Sequence, residues 1–321
     1  MNQSNIGKHK IVISIPAYNE ANNILKALVA MKKSIQYASL SDYILVVCIN
    51  GCTDNTESIV NSFIRENPDI NCAIIESEIG MVVAQRKINK IYKSDIFIMS
   101  GADSLVDEKS LKLLINALDN DPSLIAVYAK IKSITKEDGY RFFAKMGMHK
   151  PRKYIHGRLS AVRDWYIPSN EELSESINKS KKTKKLFKYG GIAVDDIFLS
   201  HYIMDKYGVD SIKQIDGAFC YAWPVLTFSD FYKYYRRSKI ELVKIHTWFP
   251  EYNYLLKYQN RRTDWGKWWQ SNLKSKTIWI IFLSIKFLLF VYLQLEIILL
   301  RFSWYKPKKQ WQTVVSTKLK S

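Results

Sequence analysis

Three apolar segments, each running out into a polar loop, constrain this chain more than any other feature. They read IVISI (Ile11 to Ile15), YILVVCI (Tyr43 to Ile49) and DIFIM (Asp95 to Met99). The loops that follow read PAYNEANN, NGCTDNT and SGADS. A continuous apolar strand followed by a helical stretch is the pattern of a parallel sheet covered on both faces. Open sheets of this kind take ligands at the carboxyl ends of their strands. A site assembled from these three loops suits a nucleotide and a metal ion.

The segments between the strands carry helical spacing. Glu20 to Ile35 places Ile24, Leu25, Leu28, Met31 and Ile35 along one face. Asp54 opens a second helix through Phe63 and Ile64, and Asp54 with Glu57 matches a capping box. CAIIE (Cys72 to Glu76) reads as a strand, followed by a helix from about Met81 to Tyr92. After DIFIM come a helix from Asp107 to Leu118 and a strand LIAVYAK, which makes four or five βα units with right-handed parallel crossovers.

Beyond residue 131 the pattern loosens. Residues 140–165 are aromatic and basic, ending in YIHGRLSAVRDW. Residues 169–190 are polar with little apolar content and read as a mobile loop that hinges at Gly190 and Gly191. GIAVDDIFLSHYIMDKYG reads as helix, IKQIDGAFCYAW as strand, and Phe228 to His246 as a basic aromatic helix. The chain therefore divides into a βα half over 1–131, a second half of the same domain over 132–246, and a basic, aromatic extension over 247–321.

With 47% apolar residues over 321 positions the chain fills a real core, which excludes a disordered protein. Its net charge of +18 is unevenly placed. Residues 1–131 hold 13 Lys and Arg against 14 Asp and Glu, a net of −1; residues 231–321 hold 18 against 4, a net of +14. A basic end suits an anionic surface, membrane lipid or nucleic acid. No nucleic-acid recognition motif is present, so the expectation is a membrane and no nucleic acid.

Thr277 to Leu300 supplies 24 mostly apolar residues, long enough to cross a bilayer, interrupted by Lys286, Gln294 and Glu296. A central lysine costs about 2.5–3.5 kcal/mol, which roughly twenty apolar neighbours at about −0.3 to −0.6 kcal/mol each outweigh. Trp279, Trp304 and Tyr305, then Lys306, Lys308 and Lys309, suit an interface-anchored end. Membrane attachment follows, at the anionic cytoplasmic face, as a peripheral or a single-pass protein. The four cysteines show neither a CxxC pair nor zinc-finger spacing and read as reduced thiols. The first apolar run holds five residues, so a cleavable signal is not expected.

ISIPAYNE followed by VVCINGCTDNT, GADS and AVDDIFLS resembles the family 2 glycosyltransferases over roughly residues 9–240. These are inverting enzymes with the Rossmann-like glycosyltransferase A fold, an α/β architecture with a mainly parallel central sheet. The resemblance makes the first half of the domain the nucleotide-sugar-binding half and the second the acceptor and catalytic-base half.

It implies that Pro16, Ala17, Tyr18 and Glu20 wrap the base and ribose of a nucleotide-sugar donor. Asn50 stands near the family's base-reading acid, and Asp54 matches a family position that an N-cap explains equally well. Gln85, Arg86 and Lys87 fall where relatives carry an Ala-Arg-Asn run near the diphosphate, which a guanidinium neutralises in bidentate fashion. In GADS, Gly101 replaces the first acid of the Asp-x-Asp metal motif. Ala102 and Asp103 remain, and Asp103 is the expected ligand of Mg²⁺ or Mn²⁺, which needs only one or two protein carboxylates beside the diphosphate.

Asp195 and Asp196 match the pair whose second acid is the family's catalytic base, which takes the acceptor hydroxyl proton as oxygen attacks the anomeric carbon. Arg236 and Arg237 fall where relatives place cations on the leaving diphosphate. His156 and Arg158 suit the acceptor side. Position 234 is Tyr, so the Gln-x-x-Arg-Trp signature of processive synthases is absent. The expected activity is transfer of one sugar to a lipid-linked or growing cell-surface glycan. Gly101 and Asn50 motivate an alternative, a catalytically impaired relative that binds a nucleotide or partner at the membrane. A nucleotidyltransferase is disfavoured, since no Gly-rich, Arg-containing phosphate loop follows the first strand.

Overall fold

The computed structural model describes residues 9–134, 153–177, 181–259, 265–300, 302, 305 and 306. Residues 140–152, Trp304, Lys308 and Lys309, singled out above, lie outside the described residues. One eight-stranded sheet organises the chain, in the order β3-β2-β1-β4-β7-β6-β8-β5. Four strands, β1 (Ile11–Ala17), β2 (Tyr43–Asn50), β3 (Cys72–Ser77) and β4 (Ile96–Ser100), run parallel. Their crossovers are α1 (Ile24–Ala38), α2 (Thr56–Glu66) and α3 (Met81–Ile91).

The unbroken apolar run of β1 has a direct cause. Ile11, Ile13 and Ile15 enter one core with Leu28 and Met31 of α1 and Phe63 of α2. Val12 enters a second core on the other face with Val82 and Ile88 of α3. A strand buried on both faces has no position left for a polar side chain.

The second half is mixed. β5 (Ser104–Val106), α4 (Ser110–Asn120), β6 (Ala126–Ser133), β7 (Leu159–Val162) and β8 (Ile212–Ala222) follow. The expected fifth parallel strand, LIAVYAK, is β6, but it does not lie beside β4. The short β7 sits between them and pairs antiparallel with both. β8 runs parallel to β6 and antiparallel to β5.

The polar stretch 169–190 is not a loop. It forms α5 (Asn170–Ile177), α6 (Lys181–Leu186) and a 3₁₀ turn over Phe187–Tyr189. Ser169 N donates to Glu172 Oε2 at 2.6 Å and Glu172 N donates to Ser169 Oγ at 3.2 Å, a reciprocal capping box. The few apolar side chains, Leu173, Ile177, Leu186 and Tyr189, are buried in the second core. Three long helices follow, α7 (Asp195–Tyr207), α8 (Phe228–Trp248) and α9 (Leu273–Leu299), with short helical segments at Leu256–Gln259 and Trp265–Gln270 between the last two. By length and composition α9 is apolar enough to cross a membrane.

Candidate active site

The loops after β1 and β2 are bound to each other. Asn19, at φ 52°, accepts from Thr53 N through Oδ1 at 2.8 Å and donates to Thr53 Oγ1 through Nδ2 at 3.1 Å. Glu20 N donates to Thr56 Oγ1 at 2.8 Å, and Ala21 N donates to Asp54 Oδ2 at 3.1 Å. Asp54 Oδ1 accepts from Thr56 N at 3.1 Å. Asp54 thus caps α2 and ties it to the first loop, while the expected reciprocal bond with Glu57 is replaced by an Asn55 N-cap without a side-chain bond. Glu20 accepts from Asn23 Nδ2 at 2.8 Å, and its carbonyl accepts from the amides of Asn23 and Ile24. That turn delays α1 to Ile24. Pro16 and Ala17 close β1 opposite Cys48 and Ile49, with Tyr18 next in the loop.

Asn50 is buried, and its Oδ1 accepts from Gly80 N at 2.7 Å. It holds the turn into α3. Arg86 is half-buried with Glu171 and Glu172 of α5 as its charged neighbours, so burial lowers its pKa and those acids oppose the shift.

The acid pair opens α7, and its two members differ in surroundings. Asp195 is wholly buried and its Oδ2 accepts from Gln85 Nε2 at 2.8 Å. Burial raises its pKa, opposed by that hydrogen bond. Gly157 comes so near that a Cβ there would lie 3.4 Å from Asp195 Oδ2. Asp196 is only partly buried, and its Oδ2 accepts from Gly157 N at 3.4 Å. Arg237 has Asp196, Arg158 and Asp195 as its charged neighbours, with the Tyr234 phenol beside them. Burial lowers its pKa and the acids oppose the shift, which leaves a guanidinium a cation at neutral pH.

Arg158 links this cluster to the loop after β4. Its Nη1 donates to Asp103 Oδ1 at 3.2 Å and to Ser104 Oγ at 3.3 Å, and its carbonyl accepts from Gly101 N at 3.3 Å. A Cβ at Gly101 would lie 2.8 Å from Ser104 Oγ and 2.9 Å from Asp103 Oδ1. Glycine at the first position of the motif is what lets the Asp103 carboxylate fold back against its own loop. Beside Asp103, a pocket of about 120 Å³ is lined by Asn23, Lys26, Asp103, Leu105, Ile134 and Trp223.

Two expected site residues do other work. His156 Nε2 donates to the Ala129 carbonyl at 2.6 Å, and its Nδ1 accepts from Arg158 N at 3.3 Å. Both ring nitrogens are committed to backbone, and burial holds its pKa at about 4. It is a neutral packing histidine that shapes the Gly157–Arg158 turn. Arg236 is buried and points away from the acids, donating to Glu296 of α9 through Nε at 3.0 Å and again through Nη2. It therefore does not reach a leaving diphosphate. The 100° step between consecutive helical positions sends Arg237 to the site and Arg236 to α9.

Glu241 and Lys244, which sequence reasoning passed over, are buried on α8 and pair at 3.0 Å. Glu241 Oε1 accepts from Ala193 N at 3.2 Å, and Lys244 Nζ donates to the Gly191 carbonyl. Together they strap the segment that leads into Asp195 and Asp196.

Among the described residues no three His, Cys, Asp or Glu side chains gather as a metal cage. Asp103 offers one carboxylate, which fits a hard cation arriving with diphosphate oxygens and water as its remaining ligands.

The sheet, with its loops gathered at the carboxyl ends of the parallel strands, is that of the glycosyltransferase A fold. The model of glycosyl transferase family 2 matches residues 12–194, more than half the chain, and the chain belongs to that family. It is 21% identical over 178 residues to a chondroitin synthase of Pasteurella multocida and 22% identical over 178 residues to a hyaluronan synthase of the same species. Each alignment covers 52% of this chain and 18% of the relative, so the chain spans under a fifth of their length. A mannosyltransferase from Pyrobaculum calidifontis, solved with GDP-mannose and Mn²⁺, superposes with a TM-score of 0.50 at 20% identity. That superposition covers 74% of this chain and 62% of the other. A glucosyl-3-phosphoglycerate synthase from Mycobacterium tuberculosis has a TM-score of 0.48 at 15% identity, over 75% of this chain and 80% of the other.

Proposed function

We propose that this glycosyltransferase moves a single sugar, with inversion, from a nucleotide-sugar donor to a lipid-linked or growing cell-surface glycan at the cytoplasmic face of the membrane. The observation that carries the reading is the contrast within the acid pair: Asp195 is sealed and bonded to Gln85, whereas Asp196 is partly exposed, takes the Gly157 amide and has Arg237 as a cationic neighbour. Asp196 is the base that takes the acceptor hydroxyl proton, and Asp195 positions it. Arg237 and Arg158 supply the positive charge that meets a departing diphosphate. Pro16, Ala17, Tyr18 and Glu20 with Asp54 form the nucleoside side, and Ala102 brings the backbone beside Asp103. Asp103 would hold a divalent cation, which when bound supplies charge neutralisation of the diphosphate. The exposed apolar surface of α9 and the basic C-terminal third support membrane attachment.

Thermal shift against UDP, GDP, CDP and dTDP, with and without Mn²⁺ or Mg²⁺, tests the site. A ligand at 100 times its dissociation constant adds about 2.7 kcal/mol of stability. The expected result is a metal-dependent response to one nucleotide that Asp103→Ala removes, with donor hydrolysis or transfer that Asp196→Asn abolishes. Silence across the panel from folded protein would favour an impaired relative that serves as a binding module.

A further inference from the structure

Helix α9 is fastened to the catalytic domain towards both of its ends. Near its start Trp279 and Phe282 pack with Phe231 and Tyr235 of α8, the rings of Phe231 and Phe282 lying 5.8 Å apart. Near its end Glu296 accepts two hydrogen bonds from Arg236, and Leu293 and Leu300 are buried in the second core of the domain. Just beyond the helix the Phe302 carbonyl accepts from Lys188 Nζ at 3.3 Å. From Trp279 to Glu296 the helix rises about 26 Å, most of a hydrocarbon core of about 30 Å. A helix held over that length by one folded body cannot cross a bilayer while the body stays outside it.

The rest of α9 is apolar and uncovered. Phe287 and Leu288 are 65% and 66% exposed, and Ile280 and Leu295 lie more than half exposed. Exposed Trp265 and Trp269 precede the helix, and Lys274 and Lys276 stand in its first turn. Aromatic and cationic groups at the rim of an apolar face suit the headgroup level of an anionic bilayer.

We propose that α9 lies in the plane of the membrane as a one-leaflet anchor, its exposed face seated in an anionic phospholipid surface and its other face docked on the catalytic domain. This deepens the membrane attachment proposed above and rests on it. It also places the reaction at the membrane. Arg236 holds the anchor and Arg237, the next residue, has Asp196 among its charged neighbours, so α9 and α8, each about 10 Å across, stand between lipid and the acids. An acceptor tethered in the same leaflet through a polar spacer of about 20 Å reaches Asp196 while still membrane-bound, which favours the lipid-linked class over a soluble glycan.

The test uses the full chain with vesicles of phosphatidylcholine, with and without phosphatidylserine. Phe287→Trp is read as a fluorescence difference from the parent, with bromines placed near the headgroup end or near the tail end of the acyl chains. Expected are binding that strengthens with phosphatidylserine and stronger quenching by the shallow bromines. Phe287→Asp combined with Leu288→Asp should lower vesicle affinity about tenfold or more with an unchanged circular dichroism spectrum, since both side chains are exposed. Binding with quenching mainly by the deep bromines would mean a crossing helix; it overturns the in-plane anchor and leaves membrane attachment standing. Absence of binding overturns both. Neither result touches sugar transfer, which donor hydrolysis reports separately.

Discussion

Gln85 Nε2 stands 2.8 Å from Asp195 Oδ2, and this bond between two buried residues joins α3 to the first turn of α7. Gln85→Leu keeps most of the volume and removes the donor, leaving a buried carboxyl without it. A buried acceptor stripped of its partner costs about 1–3 kcal/mol, and more when charged. Urea unfolding should show a loss of at least that order. Donor turnover should fall as well, because the next residue, Asp196, is the proposed base.

The Asp195 carboxyl itself opposes folding at neutral pH. Its folded pKa is raised above the unfolded value by burial. Between those two values the native state binds more protons than the unfolded chain, so stability falls as pH rises through that interval. Asp195→Asn removes the charge and retains an oxygen for Gln85. The variant should equal the parent at pH 4 and become progressively more stable than it towards pH 8. Melting temperatures across that range check the sign.

How much of this was legible before folding depended on whether burial was written locally. β1, β2 and β4 announce themselves because both faces are covered, so the apolar run is unbroken. α5 was hidden because it gives few residues to the core, Leu173 and Ile177 among those described, although its Ser169–Glu172 capping box was readable in the letters. Four-residue β7 carries too little pattern to stand out. Arg236 and Arg237 look alike in sequence, and only the rotation of α8 against α9 assigns one to a structural pair. Glu241 and Lys244 look like a surface i,i+3 pair, yet both are buried under the strap they hold.

Two neutral histidines set the acid limit of the fold. Burial holds the pKa of both His156 and His201 at about 4, against an ordinary value near 6.5. A depressed folded pKa contributes stability that is complete above pH 6.5 and is lost as pH falls through 4. At about 1.36 kcal/mol per pH unit, each histidine removes on the order of 3 kcal/mol at most over that window. Denaturation at fixed urea from pH 7.5 to 4 should show the decline. His156→Gln, which can still donate to the Ala129 carbonyl, should flatten it.

Gly101 occupies a position where any side chain collides. The Cβ of Gly101→Ala would meet Ser104 Oγ at 2.8 Å and Asp103 Oδ1 at 2.9 Å, so the carboxylate must turn and its 3.2 Å contact with Arg158 is lost. Gly101→Asp would recreate the two-acid spelling of the motif but suffers the same collision. It should not tighten Mn²⁺ binding in the presence of a nucleoside diphosphate. Calorimetric titration of parent and variant decides this, and a tighter variant would refute the steric account.

The Arg236–Glu296 pair makes α9 part of the catalytic domain, and its energetics are asymmetric. Both side chains are buried, and Tyr189 stacks beneath the guanidinium at 5.6 Å. Removing one member strands the other charge in an apolar setting, which costs about 3–5 kcal/mol, whereas replacing both by apolar groups of similar size is often neutral. Glu296→Ala and Arg236→Met should each lower stability by that order. Arg236→Met with Glu296→Leu should recover most of it. Because Arg237 follows directly on α8, the single variants should also lose donor turnover, and the double variant should regain it along with the fold. Turnover that stays at parental levels in a destabilised Glu296→Ala would show that α9 and the site are uncoupled.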